Sequence, residues 1–317
     1  SALFELGRSI LELAPLRLGV VSKAERGYRL LGPLAARHRA ELISLGPEIT
    51  IGQAFPRIAS ACLRHYLLNV ELLQDGRRTD TRATLAVHQC RVALRRLRAA
   101  ILVFRPLLRA DDDTRRIDQG IGRLARVLGE ARDLDVLIEK RVNEGGGKDQ
   151  EAAWRKAETA RSAAHERVRG TLVAKETTEL LFDLVEWLAE GVWSRAPELA
   201  DLRNTPCTAL AVDALRHYRR RVRRLGKRFG ELDDEKRHTL RKDFKTLRYA
   251  AEFFAPLFVD ERRKRERETF ISTLEAVQDR LGDWNDHVTG PRVAAGLGLS
   301  DPSGRVTAAE LVQEMEQ

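Results

Sequence analysis

The sequence has few aromatic residues and little of the alternating β-branched pattern that strands require. Aromatic residues make up 6% of the 317 residues, whereas leucine, alanine, arginine and glutamate dominate. With 43% hydrophobic and 32% charged residues, the composition is typical of a folded helical protein rather than a disordered chain. We therefore predict an all-α fold, in a chain long enough for two domains of ordinary size.

Long apolar runs and an opening signal peptide are also missing. No stretch approaches the roughly 18–20 apolar residues that a membrane-spanning helix needs. The three cysteines, Cys62, Cys90 and Cys207, are widely spaced and odd in number, so they fit neither a disulfide framework nor a zinc site. We predict buried thiols in a reducing compartment, which makes the cytoplasm the default location, and we expect no membrane partner.

Familiar catalytic motifs are absent as well. The sequence contains no HExxH or CxxC motif and no Ser-His-Asp arrangement. Gly145–Gly147 and Lys148 lack the earlier glycine and the following Ser or Thr of a phosphate-binding loop, so we predict a linker there. We predict that the chain is not an enzyme, and we expect neither a cofactor nor a bound metal.

Amphipathic helical patterns fill the chain from about residue 51 onward. Before that point, proline and glycine break the sequence into short helical pieces, which predict an N-terminal extension over residues 1–46. The remainder predicts two groups of four helices, in domains spanning 47–195 and 196–317. The predicted helices lie near 52–75, 81–109, 112–142, 148–190, 206–229, 234–258, 261–282 and 303–316.

The two groups of helices carry the marks of an internal duplication. Three landmarks occur twice, in the same order, at offsets of 150 to 153 residues. Such a constant offset predicts two copies of one four-helix bundle. The aligned segments are VHQCRVALRRLRAAILVFRPLL (87–108) with RHTLRKDFKTLRYAAEFFAPLF (237–258), LGEARDLDVL (128–137) with LGDWNDHVTG (281–290), and LRHY at 63–66 with LRHY at 215–218.

The longest landmark places basic residues at helical spacing beside an apolar stripe. In each copy a histidine is followed by basic residues at i+3, i+7 and i+10, so the four share one side of a helix over roughly 15 Å. We term these sets the first ladder (His88, Arg91, Arg95, Arg98) and the second ladder (His238, Arg241, Lys245, Arg248). The predicted core stripes are Cys90, Ala93, Leu94, Leu97, Ile101 and Phe104, and Leu240, Phe244, Leu247, Ala251 and Phe254.

Cations at this spacing repel one another, at a cost of roughly 0.2–0.5 kcal/mol per pair. A solvated helix face usually interleaves acidic and basic residues, yet no acid occurs within 88–110 or 244–251. An extended polyanion would relieve the repulsion, and the planar arginine fork binds two phosphate oxygens at once. A solvated face without a ligand is the alternative.

A further basic run, RHYRRRVRRLGKR at residues 216–228, occurs in the second copy only. It contains eight Arg or Lys residues and no acid, whereas the matching first-copy helix keeps only Arg64 and His65. Together with the net charge of +9, it favours a polyanionic partner, with a solvated face again the alternative. Its outward positions are Arg216, Arg220, Arg223 and Lys227, flanked by Arg219 and Arg224.

Several titratable residues have more than one interpretation. The ladder histidines could bind a metal, but neither has a carboxylate or a second histidine one helical turn further on. His65 and His217 fit helix packing at least as well as ligand contact. Asp133 and Asp286 could serve catalysis or a metal, but a role in orienting ladder arginines or capping a following short helix explains them better.

The duplicated motifs resemble those of the CHAD family, the conserved histidine α-helical domain. The resemblance covers roughly residues 47–316. It rests on His88-x2-Arg91-x3-Arg95-Arg96-x-Arg98, FRPLL and LGEARDLDVL in the first copy, and on H-x2-R-K-x2-K-x2-R-Y and LGDWNDH in the second. It implies two four-helix bundles related by a pseudo-twofold axis, with a basic surface or cavity between them that binds inorganic polyphosphate without catalysis.

On the matching positions, the resemblance implies that both ladders contact polyphosphate, with Arg96, Lys242 and Tyr249 as nearby candidates. The outward residues of the basic run are further candidates. In a cell, such a ligand would also bring the protein to polyphosphate granules. The chain departs from the family pattern in the weakly basic first helix of copy one and in Arg132, which matches Asn285 of the second copy.

Residues 1–32, especially PLRLGVVSKAERGYRLL, are similar to the C-terminal end of a CYTH (triphosphate-tunnel) domain, which often precedes CHAD in bacterial proteins. The Glu-x-Glu-x-Lys signature of CYTH enzymes is absent, so we expect this chain to be a fragment of a longer protein and not a working CYTH enzyme.

Three other functions are weighed against polyphosphate binding. Nucleic acid is expected only as a weak competitor, because neither ladder carries exposed aromatic residues for base stacking and no groove-reading motif is visible. A metal-dependent phosphohydrolase would need a carboxylate cluster. A scaffold whose basic face meets an acidic protein is the third.

Overall fold

The computed structural model of the protein describes residues 2–14, 16–32, 35–74, 80–108, 112–144, 151–258 and 264–296. This part of the chain is helical, which confirms the predicted fold class, and its β structure is limited to an isolated bridge between Thr50 and Pro206. The α-helices are α1 (Ala2–Leu13), α2 (Lys23–Leu30), α3 (Ile51–Gln74), α4 (Asp80–Val103), α5 (Arg105–Leu108), α6 (Asp112–Glu144), α7 (Glu151–Val173), α8 (Lys175–Glu190), α9 (Val192–Arg195), α10 (Ala200–Asn204), α11 (Cys207–Gly226), α12 (Asp234–Phe254) and α13 (Lys264–Gly296).

Prolines end two of the helices earlier than the apolar pattern predicted. Pro106 follows the end of α4 at Val103, and Pro256 follows the end of α12, where residues 255–257 form a 3₁₀ turn. Proline has no N–H to donate, and its ring clashes with the carbonyl one turn back. The predicted helix near 303–316 and the linker at Gly145–Gly147 lie outside the described residues.

The segment predicted as one helix over 148–190 is divided between α7 and α8. Ala174 is extended there, with φ −63° and ψ 144°, and the Thr177 hydroxyl donates to the Thr171 carbonyl at 2.6 Å. That hydrogen bond satisfies a carbonyl that the helix end leaves open. Because neither proline nor glycine marks the position, helical periodicity did not reveal the break.

The chain folds into two compact units, each assembled from two segments. The first unit comprises Ser1–Arg132 and Ala163–Leu210, and the second comprises Asp133–Ser162 and Ala211–Gln317. Helices α6 and α7 therefore each supply residues to both units. The division into an extension and two duplicated four-helix bundles stays a prediction.

The apolar stripes lie where the sequence predicted. Every stripe residue of α4 is at most 7% exposed, and four of the five on α12 are buried, with Phe244 partly exposed. All three cysteines are free and buried, as predicted, and burial raises the pKa of the Cys90 and Cys207 thiols. None of the described helices combines the length and hydrophobicity that crossing a bilayer requires.

An aromatic cluster closes the core of the first unit. Phe55 of α3 is fully buried, and its ring centroid lies 5.3 Å from Phe104, 5.4 Å from Trp187 and 5.1 Å from Trp193. Both tryptophan contacts are edge-to-face, an arrangement that aromatic quadrupoles favour. The cluster thereby joins α3, the residue that follows α4, and helices α8 and α9.

Replacing Phe55 with alanine is expected to lower the free energy of unfolding by about 3–5 kcal/mol, because the change leaves a cavity among three aromatic rings. Urea unfolding followed by tryptophan fluorescence measures the loss. The control is Leu102→Ala, whose side chain on α4 is 44% exposed and should change stability by less than about 1 kcal/mol. Equal losses in the two variants would contradict the central position of Phe55.

Candidate anion-binding site

The first ladder lies along the flank of α4, beside the buried stripe. The helix continues without interruption from Asp80 to Val103, so the spacing keeps the four side chains on one side. The three residues at the histidine end are half-buried, whereas Arg98 is exposed. The buried stripe prevents the helix from rotating these charges further into solvent.

His88 lies in a strongly positive environment. Burial, followed by the charges of Arg132, Arg95, Arg91 and Arg37, lowers the pKa of its imidazole from the usual 6.5 to about 4. We term these five residues the His88 cluster. They come from α4, from α6 and from the segment that precedes α3. Arg37 was not identified from the sequence, because it lies outside both copies of the repeat.

Arg95 has an unmet hydrogen-bonding group within the His88 cluster. Its Nε atom is buried and has no hydrogen-bond partner among the residues that the structure describes. A buried donor without an acceptor costs about 1–3 kcal/mol, which an anionic oxygen placed there would recover. Arg95 therefore carries part of the cost of half-burying the first ladder.

Gly129 allows Arg91 to lie close to α6. A Cβ atom at this position would collide with the Arg91 guanidinium, so any larger residue would displace the arginine. The glycine belongs to the duplicated LGEARDLDVL segment, and the sequence alone does not explain why a glycine stands at this position. The structure supplies that reason, since the glycine leaves room for a ladder cation.

Acidic residues from neighbouring helices neutralise the last position of each ladder. Asp118 of α6 accepts two hydrogen bonds from Arg98, at 2.7 Å from Nε and 3.2 Å from Nη2. Arg248 lies 3.2 Å from Glu275 of α13 and 3.4 Å from Glu252 on its own helix. Residues 88–110 and 244–251 contain no acid, and the acids that pair with Arg98 and Arg248 lie outside these ranges, so the sequence pattern did not reveal the pairs.

The second ladder is more open at its histidine end. His238 is exposed, and burial followed by the charges of Lys242, Arg241 and Lys245 lowers its pKa. Arg241 and Lys245 are half-buried, whereas Lys242 is exposed. Its environment is therefore cationic like that of His88, but nearer to solvent.

Two candidates of lower rank lie in the interior. Arg96 is 7% exposed, and its charge contributes to a lowered pKa of His65, for which burial is the largest cause. Tyr249 is 1% exposed and stacks on Phe253, with the Arg248 guanidinium carbon 4.8 Å from its ring centroid. Their burial assigns both residues a packing role, and ligand contact by either stays a prediction.

The basic run lies on α11 and the turn after it, with its cations divided between two faces. Arg221 points inward and donates to the buried Asp243 of α12 at 2.8 Å. The outward residues are all exposed, as the helical spacing predicted: Arg216, Arg219, Arg220, Arg223, Arg224 and Lys227. His217 is exposed beside the ring of Tyr218, whereas His65 is buried.

Of the two roles predicted for Asp133 and Asp286, capping a following helix is wrong, and orienting ladder arginines stays a prediction. Residue 133 lies inside the continuous helix α6, and residue 286 lies inside α13, so neither position begins a helix. The side chain of Asp286 lies outside the described part of the structure. Instead, the buried carboxylate of Asp135 accepts a 2.8 Å hydrogen bond from Arg161, a pair that the sequence analysis did not identify.

Metal-ligating side chains do not gather at the ladders. Over the part of the chain that the structure describes, no three His, Cys, Asp or Glu residues form a group that could hold a metal ion. Instead, cations lie around a half-buried histidine, and such a group of positive charges suits a multivalent anion.

The depressed pKa of His88 predicts a specific loss of stability in acid. The unfolded imidazole takes up its proton near pH 6.5 and the folded one only near pH 4, so stability falls as the pH drops through this window. His88→Gln should reduce that loss by about 1–2 kcal/mol, a figure discounted for the partial exposure of His88. Urea unfolding of both proteins at pH 7 and pH 4 measures the difference. An identical loss in both would contradict the shift.

Comparison with known proteins agrees with this structure. The CHAD domain family model matches residues 57–294, which include both ladders and the basic run. Among solved structures, the chain is similar to the crystal structure of the CHAD domain from the plant Ricinus communis, with 26% identity, 88% of each chain covered and a TM-score of 0.70. No curated protein matches the sequence. The match to the CHAD family model begins at residue 57, after the N-terminal extension, and the likeness of that extension to a CYTH domain stays a prediction. With three quarters of its residues matched and its fold shared, the chain belongs to the CHAD family.

Proposed function

We propose that this CHAD protein binds inorganic polyphosphate through its two ladders, without catalysing a reaction. The His88 cluster carries the proposal, because a half-buried histidine is surrounded there by the charges of four arginines. Membership of a family associated with polyphosphate binding supports it. The cluster is a site whose electrostatic energy falls when an anion enters.

Polyphosphate fits the ladders in charge and in length. Its phosphates repeat along a flexible chain, and each presents oxygens that an arginine fork can bind in pairs. The ladder cations lie one or two helical turns apart, so one ligand chain can contact several of them. Because such a ligand has no bases to read, affinity should depend on salt and on the number of phosphates held.

His88 gives this binding a pH dependence. A phosphate held beside it would oppose the field of Arg37, Arg91, Arg95 and Arg132, and would raise the pKa of the imidazole from about 4. The histidine would then bind a proton together with the ligand, and the affinity would increase as the pH falls. At neutral pH the ring can still donate one N–H to a phosphate oxygen.

The same cations argue against phosphate hydrolysis at this site. Metal-assisted hydrolysis requires carboxylates that hold a divalent cation beside the substrate. The charged groups that act on His88 are all arginines, which would repel such a cation. We therefore assign the ladders to binding.

Nucleic-acid binding is the second candidate, favoured by the exposed cations of the basic run. Seven exposed Arg and Lys residues lie along α11 and the turn after it, a distribution typical of sequence-independent phosphate contact, and one of them, Arg228, pairs with Glu231. However, Tyr218 within the run is only 8% exposed, so it offers no platform for base stacking. The run therefore suits a generic polyanion and less a specific nucleic-acid sequence.

Removing single ladder cations should weaken polyphosphate binding. Arg95→Ala and Lys245→Ala should each lower the affinity by about tenfold to a hundredfold, because each removes a charge-assisted contact. Each should also reduce the slope of log K against log salt concentration by about one. Arg98→Ala should have a smaller effect, because Asp118 already neutralises Arg98. Calorimetric titration with long-chain polyphosphate at two salt concentrations measures all three.

The matched control for this series is Arg115→Ala, which removes the same charge from a side chain that is 78% exposed on α6. It should bind polyphosphate within twofold of the wild type. If the control loses as much affinity as the ladder variants, the ladders contribute only general positive charge. If the wild type does not bind polyphosphate, the proposed function is refuted.

Competition with DNA separates the two candidate functions. At equal phosphate concentration, polyphosphate should displace duplex DNA, because it follows the closely spaced ladder cations whereas a rigid duplex does not. The triple variant Arg216→Gln/Arg220→Gln/Arg223→Gln should weaken residual DNA binding more than polyphosphate binding. Fluorescence anisotropy of a labelled duplex reports the displacement, and equal competition by both polyanions would favour the generic function.

A further inference from the structure

The segment between α2 and α3 holds an arginine beside the first ladder. We term residues 35–46 the connecting segment, which runs without regular secondary structure. It lies before residue 57, where the family model begins to match, and outside the duplicated motifs. Its charged residue of interest is Arg37.

Asn69 fixes the backbone of the connecting segment at His38. The His38 N–H donates to Asn69 Oδ1 at 3.0 Å, and Asn69 Nδ2 donates back to the His38 carbonyl at 3.0 Å. The same Nδ2 donates to the His65 carbonyl on α3 at 2.8 Å, which fixes the orientation of the amide. Asn69 is fully buried, so this two-bond clamp is protected from competition by water.

A second set of hydrogen bonds aligns the connecting segment with α4. His65 Nε2 lies 3.0 Å from the His38 carbonyl and 3.1 Å from Gln89 Oε1. Since both neighbours are oxygens, Nε2 carries the proton and donates to them. Gln89 directly follows His88, and His38 directly follows Arg37. The residues next to Arg37 and His88 are therefore joined through one imidazole.

This arrangement brings Arg37 close enough to His88 to belong to the His88 cluster. Arg37 is half-buried, and it forms neither a hydrogen bond nor an ion pair with the residues that the structure describes. Its charge acts on His88. Two positions further on, Arg39 is exposed. The two arginines thus share a segment but differ in burial.

We propose that Arg37 is a phosphate-binding residue of the His88 cluster and that Asn69 positions it. This inference rests on the proposed function and adds to it a contact from outside the duplicated helices. The clamp holds the backbone of Arg37 before the ligand arrives, which lowers the ordering cost of the contact. The first site is then built from three elements: α4, α6 and the connecting segment.

The first test compares Arg37→Gln with the matched control Arg39→Gln. Arg37→Gln should bind long-chain polyphosphate about tenfold more weakly in calorimetric titration, with a salt slope smaller by about one. Arg39→Gln should bind within twofold of the wild type. If Arg37→Gln binds as tightly as Arg39→Gln while the wild type binds, the inference is wrong and the proposed function stands.

The second test needs no ligand. In NMR titrations of the free protein, Arg37→Gln should raise the pKa of His88 from about 4 and Arg39→Gln should leave it unchanged. An unchanged value in Arg37→Gln would overturn the placement of Arg37. If the wild type does not bind polyphosphate, the proposed function fails and the ligand contact fails with it, whereas this titration still reports whether Arg37 faces His88.

A double-mutant cycle tests the positioning role of Asn69. Asn69→Ala should weaken polyphosphate binding in the wild-type background and have little further effect in the Arg37→Gln background. An equal loss in both backgrounds would show a general structural role and overturn the positioning claim. Because Asn69 is buried, thermal melts must first show that the variant folds. Where it does not, the Arg37→Gln tests decide the inference alone.

Discussion

Half-burial of a row of like charges is the constraint on which the first unit depends. The stripe of α4 that includes Cys90, Leu94 and Leu97 is held in the core, so the helix cannot turn its cations fully into water. Repulsion between partly desolvated charges is stronger than between charges on a solvated face. The surrounding structure must therefore compensate them, and it does so differently at the two ends of the ladder.

At the end of each ladder, the compensation comes from within the protein. Asp118 neutralises Arg98, and Glu275 and Glu252 neutralise Arg248. At the histidine ends, burial and then the charges of neighbouring cations lower the pKa values of His88 and His238. In each unit, acids pair with the last cation of the ladder, and the histidine lies among the charges of other cations.

The two histidine ends nevertheless differ in their surroundings. His88 is half-buried, and the arginines around it come from three elements, whereas His238 is exposed and its charged neighbours lie on its own helix. A more enclosed site strengthens each electrostatic contact, so the charges around His88 act on one another more strongly than those around His238.

Features that depend on local periodicity were predictable from the residue order. The helices, the buried stripes, the buried free thiols and the common face of each ladder follow from spacings of three and four residues, which hold in any α-helix. The breaks at Pro106 and Pro256 have a local cause as well, although the apolar pattern concealed them.

Other features depend on contacts between residues far apart in the chain, and only the folded protein reveals them. The pairing of Arg98 with Asp118, the burial of Arg96 and the approach of Arg37 to His88 all join separate elements. No spacing rule relates residue 37 to residue 88, because a buried asparagine and a shared imidazole bring them together. Residue order thus specified which side of each helix is charged, while packing between helices decided how deeply each of those charges is buried and which acids reach it.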